Sequence, residues 1–194
     1  MWPFSSKSHL SKKVLFLSST FRDLSYHRNL AAEVLIKEGY KVVRSEDSDF
    51  AKGSGVHKHD VCLQRVDEIP NFLLIIDWYA GQAYEGQNPD YAGLTITHAE
   101  AKRAFRKNSG WHCFAKQEVI TTYNIWKQNK TLSGFRHDPV ERKIFDLLDD
   151  IYSLGKWGPN AFDDPGDFKR KLKKYFRQLR NDVSSTAGRY SWER

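Results

Sequence analysis

Three short apolar runs constrain this chain more than any other feature: Val14-Leu15-Phe16-Leu17, Phe72-Leu73-Leu74-Ile75-Ile76 and Trp111-His112-Cys113-Phe114-Ala115. Each is the length of a strand, and the second is apolar at every position. A run of that kind belongs in the middle of a parallel sheet that is covered on both faces. Tyr40-Lys41-Val42-Val43 reads as a further short strand. Helical periodicity fills the gaps. It predicts a helix over 23–38, with Leu24, Ala31, Val34 and Leu35 inward and Gly39 as the stop. Others are predicted over 58–68, 97–107, 140–154 and 165–179, while 117–127 fits helix or irregular structure. Strands alternating with helices imply βαβ crossovers. The fold class is therefore α/β: a flavodoxin-like (Rossmann-like), mainly parallel sheet flanked by helices, with a C-terminal helical extension.

The expected organisation is a flexible arm over 1–12, an α/β domain over 13–128, C-terminal helices over 129–182 packed on the same domain, and a tail over 183–194. A chain of 194 residues can build such a core without disulfides or metals. Its two cysteines, Cys62 and Cys113, lie in apolar surroundings and suit a reducing, cytoplasmic setting. No stretch approaches a membrane span, and the start, Met1-Trp2-Pro3-Phe4, lacks the apolar run of a secretory signal. The net charge of +7 is local. Seven basic and no acidic side chains fall between Phe168 and Arg180, and elsewhere 24 basic residues balance 24 acidic ones. That distribution argues against a general nucleic-acid binder. It favours a solvated helix face, with nucleic acid or an acidic partner as the alternative.

In an open parallel sheet, ligands bind beyond the carboxyl ends of the strands. Ser18, Ser19, Thr20 and Arg22 follow the first strand, Glu46 follows the second, and Asp77, Trp78 and the loop through Tyr84 follow the third. Free N–H groups at the strand-to-helix turn 18–23 suit an anion, although its hydroxyls equally suit N-capping. Glu100 has two readings. Thr97-His98-Ala99-Glu100 matches a capping box, in which the carboxylate only closes the helix start. Aimed into the cleft, the same carboxylate would attack or stabilise an oxocarbenium-like carbon as a glycosidic bond breaks. His57-Lys58-His59-Asp60 has no zinc spacing, and residues two apart on a helix do not share a face, so no metal site is expected.

Residues Val14 to Arg28, VLFLSSTFRDLSYHR, resemble the opening "VFISSTF-DL---ER" of a domain family of unknown function that often precedes STAND-type signalling NTPases. Further matches follow in order: Gly39-Tyr40, Val42-Val43 and Glu46; Cys62; Phe72 to Ile76; Gly81 and Tyr84 in a "G-RYG" loop; and Gly93-Leu94-Thr95 leading to Glu100 and Ala104. The resemblance covers about residues 13–115, with an echo in the last helix. Two departures stand out. His27-Arg28 replaces the motif's "ER", and Gln82-Ala83-Tyr84 lacks the loop's Arg. No NTPase motif accompanies the domain.

The family resembles the TIR-like and nucleoside deoxyribosyltransferase-like group, many of whose members cleave N-glycosidic bonds through a Glu that Glu100 would match. The resemblance therefore implies a glycosidase or glycosyltransferase directed at NAD or a nucleoside, as a signalling or defence effector. Glu100 would be catalytic, and Ser18, Ser19, Thr20, Arg22, Glu46, Asp77, Trp78 and Tyr84 would bind ligand. No cofactor is expected, since NAD or a nucleoside would be substrate. Expected partners are that small molecule and a second copy or a separate signalling protein, with no membrane. The competing reading is a non-catalytic nucleotide-sensing or protein-interaction module.

Overall fold

The computed structural model describes residues 13–48, 50, 55–107, 110–129, 139–154 and 158–189, with side chains left undescribed at 139–141 and 182–189. The expected arm over 1–12 and the last five residues lie outside these. The sheet is fully parallel, in the order β2-β1-β3-β4-β5. Its strands are β1 (Val14–Ser18), β2 (Lys41–Val43), β3 (Asn71–Ile76), β4 (Gly110–Lys116) and β5 (Asn160–Phe162). This is the flavodoxin-like order, in which the chain reverses its direction of winding between β1 and β3. A crevice opens at such a reversal because the loops leaving the two strands run to opposite faces.

Side chains of the central strands alternate between the two faces. Phe16, Phe72, Leu74 and Ile76 face one core, while Leu15, Leu17, Leu73 and Ile75 face the other. Helices α2 (Lys58–Glu68), α3 (Ile96–Arg106), α4 (Gln117–Gln128) and α5 (Pro139–Leu154) cover the first face. Helices α1 (Phe21–Lys37) and α6 (Pro165–Arg189) cover the second. Burial on both sides explains why these strands read as unbroken apolar runs instead of alternating ones.

α1 ends where expected: the Glu38 N–H reaches back to the Val34 and Leu35 carbonyls, and Gly39 takes φ +87°. The last helix carries its apolar stripe, Phe168, Leu172 and Phe176, against α1. It continues to Arg189, beyond Leu179 where that stripe ends, so the expected tail from 183 is helical at least that far. Five of its seven clustered cations meet carboxylates: Arg170 and Lys171 meet Asp167, Lys169 meets Glu33, and Arg177 and Arg180 meet Glu38. Those five cations share three carboxylates, so the segment keeps a net positive charge. No helix among the described residues is long and apolar enough to cross a membrane.

Candidate functional site

The β1/β3 crevice holds a cavity of about 610 Å³, within the usual range for small-molecule sites. Ser18, Ser19, Thr20, Arg22, Glu46 and Glu100 all line it. Gly81 closes one side at φ +89°, where a Cβ would lie 3.2 Å from Thr20 Cγ2 and 3.1 Å from Thr97 Oγ1. A side chain there would be strained at this φ and would crowd Thr20 and Thr97.

α3 positions Glu100, and it does so in a way that overturns the capping-box reading. The N-cap is Thr95, whose hydroxyl accepts the His98 N–H at 3.2 Å. Glu100 therefore sits in the second turn, two residues beyond the capping-box position held by His98. Its carboxylate instead crosses to β1, where Ser18 Oγ donates to Oε2 at 2.5 Å. Only 5% of Glu100 is exposed. Burial penalises its charged form and raises its pKa to about 7. The Ser18 hydroxyl, the Cys62 thiol and the charge of Arg28 oppose that rise. Cys62 also lines the cavity, and burial drives its own thiol strongly upward, so it is a poor nucleophile.

Glu46 is set differently. Arg28, 1% exposed, forks onto it from α1, with Nε donating to Oε1 at 2.9 Å and Nη2 to Oε2 at 2.5 Å. Arg28 Nη1 also donates to Ser19 Oγ at 2.9 Å. Burial, the largest single influence, would raise the Glu46 pKa, but the Arg28 fork, a backbone N–H and Arg44 together outweigh it and the net shift is downward. One cavity thus holds two carboxylates in opposite electrostatic states, a pattern typical of acid–base sites. Thr20 Oγ1 donates to Asp23 and leaves the start of α1 without a side-chain cap. At the mouth, the Arg22 guanidinium lies over the Tyr79 ring at 5.8 Å, Phe21 is 61% exposed, and Lys58 is exposed.

Three expected ligand contacts are corrected. Tyr84 is buried against Leu63, Tyr91 and Ala99, and its hydroxyl donates to Asp60, so it anchors its loop to α2. Trp78 packs against the core on the α2–α5 side. Asp77 accepts the Trp78 N–H at 2.9 Å and pairs with Lys116 at 3.5 Å. None of the three lines the cavity. Sequence reasoning missed Arg28, Cys62, His59 and Lys58 as lining residues. Arg28 was detectable, because it falls on the apolar face of α1 between Leu24 and Ala31, and an arginine there needs a buried partner. Its motif neighbour His27 turns away from the cavity, onto Phe162 and Phe168.

The argument used against a metal also changes. His57 is the N-cap of α2 and not a helical residue, so its ring meets that of His59 edge-on at 4.8 Å, and Glu85 completes a cluster with metal-ligand chemistry. Both Nδ1 atoms, however, accept backbone N–H groups, from His59 at 3.3 Å and from Glu85 at 3.0 Å. In the tautomer these bonds select, each ring carries a proton on Nε2, the atom a metal would need.

A family model described as "Domain of unknown function (DUF4062)" matches residues 14–177. No curated protein matches the chain in sequence. A similar solved structure is "Structure of the activated Roq1 resistosome directly recognizing the pathogen effector XopQ (TIR domains)". It aligns with a TM-score of 0.51 and 12% identity, covering 88% of this chain and 99% of that one. At that identity the likeness is one of fold: a TIR-like α/β domain.

Proposed function

The chain belongs to the DUF4062 family, and we propose that in this member the crevice between β1 and β3 is an N-glycosidase site directed at NAD or a nucleoside. The observation that carries this reading is the Glu100 carboxylate, which reaches from α3 across the cavity to Ser18. In the proposed reaction, the bond between the anomeric carbon and the base nitrogen breaks with its electron pair on the nitrogen. Ionised Glu100 offsets the positive charge that grows at the carbon. Water adds there, and its proton ends on the base or, when nicotinamide leaves as a neutral group, in solvent. Phe21 and Tyr79 at the mouth offer ring faces for the base, and Arg22 and Lys58 offer positive charge for a phosphate.

The test is incubation with NAD and a nucleoside panel, read for free base, with Glu100→Gln beside the wild type. The proposal expects release that the variant abolishes while keeping its fold. Equal release by both proteins refutes the role of Glu100.

A second reading is favoured by one observation: Glu100 is 5% exposed and already engaged by Ser18, as in a structural carboxylate. A non-catalytic nucleotide sensor binds the same panel, with thermal stabilisation and no release. Under either reading the protein acts in signalling or defence, in the cytoplasm, with a second copy or a separate signalling protein as partner.

A further inference from the structure

Glu46 has a feature that an ion pair tying two elements together does not require. Its side chain is 25% exposed on the cavity wall, while the arginine that fixes it, also on that wall, is buried. The fork from Arg28 occupies one acceptor position on each oxygen, and the backbone N–H of Glu46 also acts on the carboxylate. A carboxylate oxygen has two such positions and no proton to give. Arg28, with Arg44 Nε at 3.8 Å, balances the negative charge, so Glu46 presents a cation with little net attraction. What it presents is a rigid pair of hydrogen-bond acceptors, which suits a pair of neighbouring hydroxyl donors.

Glu46 and Glu100 share the cavity through the exit of β1. Glu100 is bonded to Ser18, and Arg28, which carries Glu46, is bonded to Ser19. Both carboxylates line the one cavity, tied to adjacent residues of the β1 exit, and the charge of Glu46 is felt at Glu100. A pentose whose anomeric carbon faces Glu100 carries its 2′- and 3′-hydroxyls on the next carbons of the same ring.

We infer that Glu46 recognises the vicinal 2′,3′-hydroxyls of a ribosyl group, making the ligands of this cavity ribosides and not 2′-deoxyribosides. This rests on the reading above that the cavity accepts a nucleoside-type ligand. A site built around hydroxyl donors rejects the analogue that lacks one, because its acceptors then lose water without gaining a partner.

The experiment measures binding by calorimetry to the full chain carrying Glu100→Gln, with adenosine, NAD and their 2′-deoxy counterparts as probes. Ribosyl probes are expected to bind roughly tenfold more tightly than their 2′-deoxy partners. Adding Glu46→Gln should bring that ratio towards one. Glu46→Asp, which keeps the charge but withdraws the oxygens from the wall, should do the same and serves if the glutamine variant does not fold. Equal affinity within each pair, a ratio that survives both substitutions, or no binding of any ribosyl probe overturns the inference. Base release separates the two claims: equal release from ribosides and deoxyribosides by the wild type sinks this inference and leaves the glycosidase, whereas selective riboside binding without release does the reverse.

Discussion

Glu100→Gln should remove a pH-dependent component of stability that the wild-type chain carries. In the unfolded chain the carboxyl titrates at its ordinary 4.5; in the fold, burial raises it to about 7. Below 4.5 both states are protonated and the contribution is complete. Between these values the unfolded state ionises while the folded state resists, so stability falls as pH rises, and it levels off above about 7. At about 1.36 kcal/mol per pH unit, the gap amounts to roughly 3 kcal/mol. With 5% of the residue exposed, solvent screening takes little from that figure. Glutamine keeps the shape and an acceptor for Ser18 but cannot titrate. Urea unfolding of both proteins at intervals from about pH 4 to 8 measures the difference directly. Wild-type stability minus variant stability should fall by roughly 3 kcal/mol across the window. A difference that stays constant, or that grows with pH, refutes the burial argument.

Ser18→Ala removes a donor that favours the ionised form of Glu100, so the Glu100 carboxyl carbon, followed by NMR, should titrate about one pH unit higher. Arg28→Met leaves Glu46 without its fork and should cost about 3 kcal/mol in urea unfolding, a loss that Arg28→Lys restores only in part. Tyr84→Phe, outside the cavity, should cost about 1 kcal/mol of stability through the lost bond to Asp60, with no change in ligand affinity by calorimetry.

Much of the fold was legible because its central strands are buried on both faces. Phe72 to Ile76 could hardly be anything else, and the inward positions Leu24, Ala31, Val34 and Leu35 follow directly from helical spacing. β5 escaped because in Asn160–Phe162 only Phe162 is buried, which leaves no periodicity to read. The start of α3 was misplaced by one residue and its capping residue by two. Thr95 and Thr97 both precede a polar residue at the right interval, and local pattern cannot tell which hydroxyl caps the helix. That small displacement decides whether Glu100 is a cap or a group facing the cavity. The cavity wall was legible where it follows a strand end, as at Ser18 to Thr20 and Glu46. It was not legible at Lys58, His59 and Cys62, because tertiary packing on α3 and the sheet brings α2 to the crevice. Tyr84 was assigned to the cleft from a loop motif whose arginine is absent here, and its burial in a separate cluster has no signature in local sequence.

The most direct measurement is base release from NAD and nucleosides as a function of pH, for the wild type and Glu100→Gln. In the proposed reaction the ionised carboxylate is the active form, so release should climb through about pH 7 and flatten above it, with the variant at background throughout. Release that ignores pH across that range, or that persists in the variant, contradicts the account.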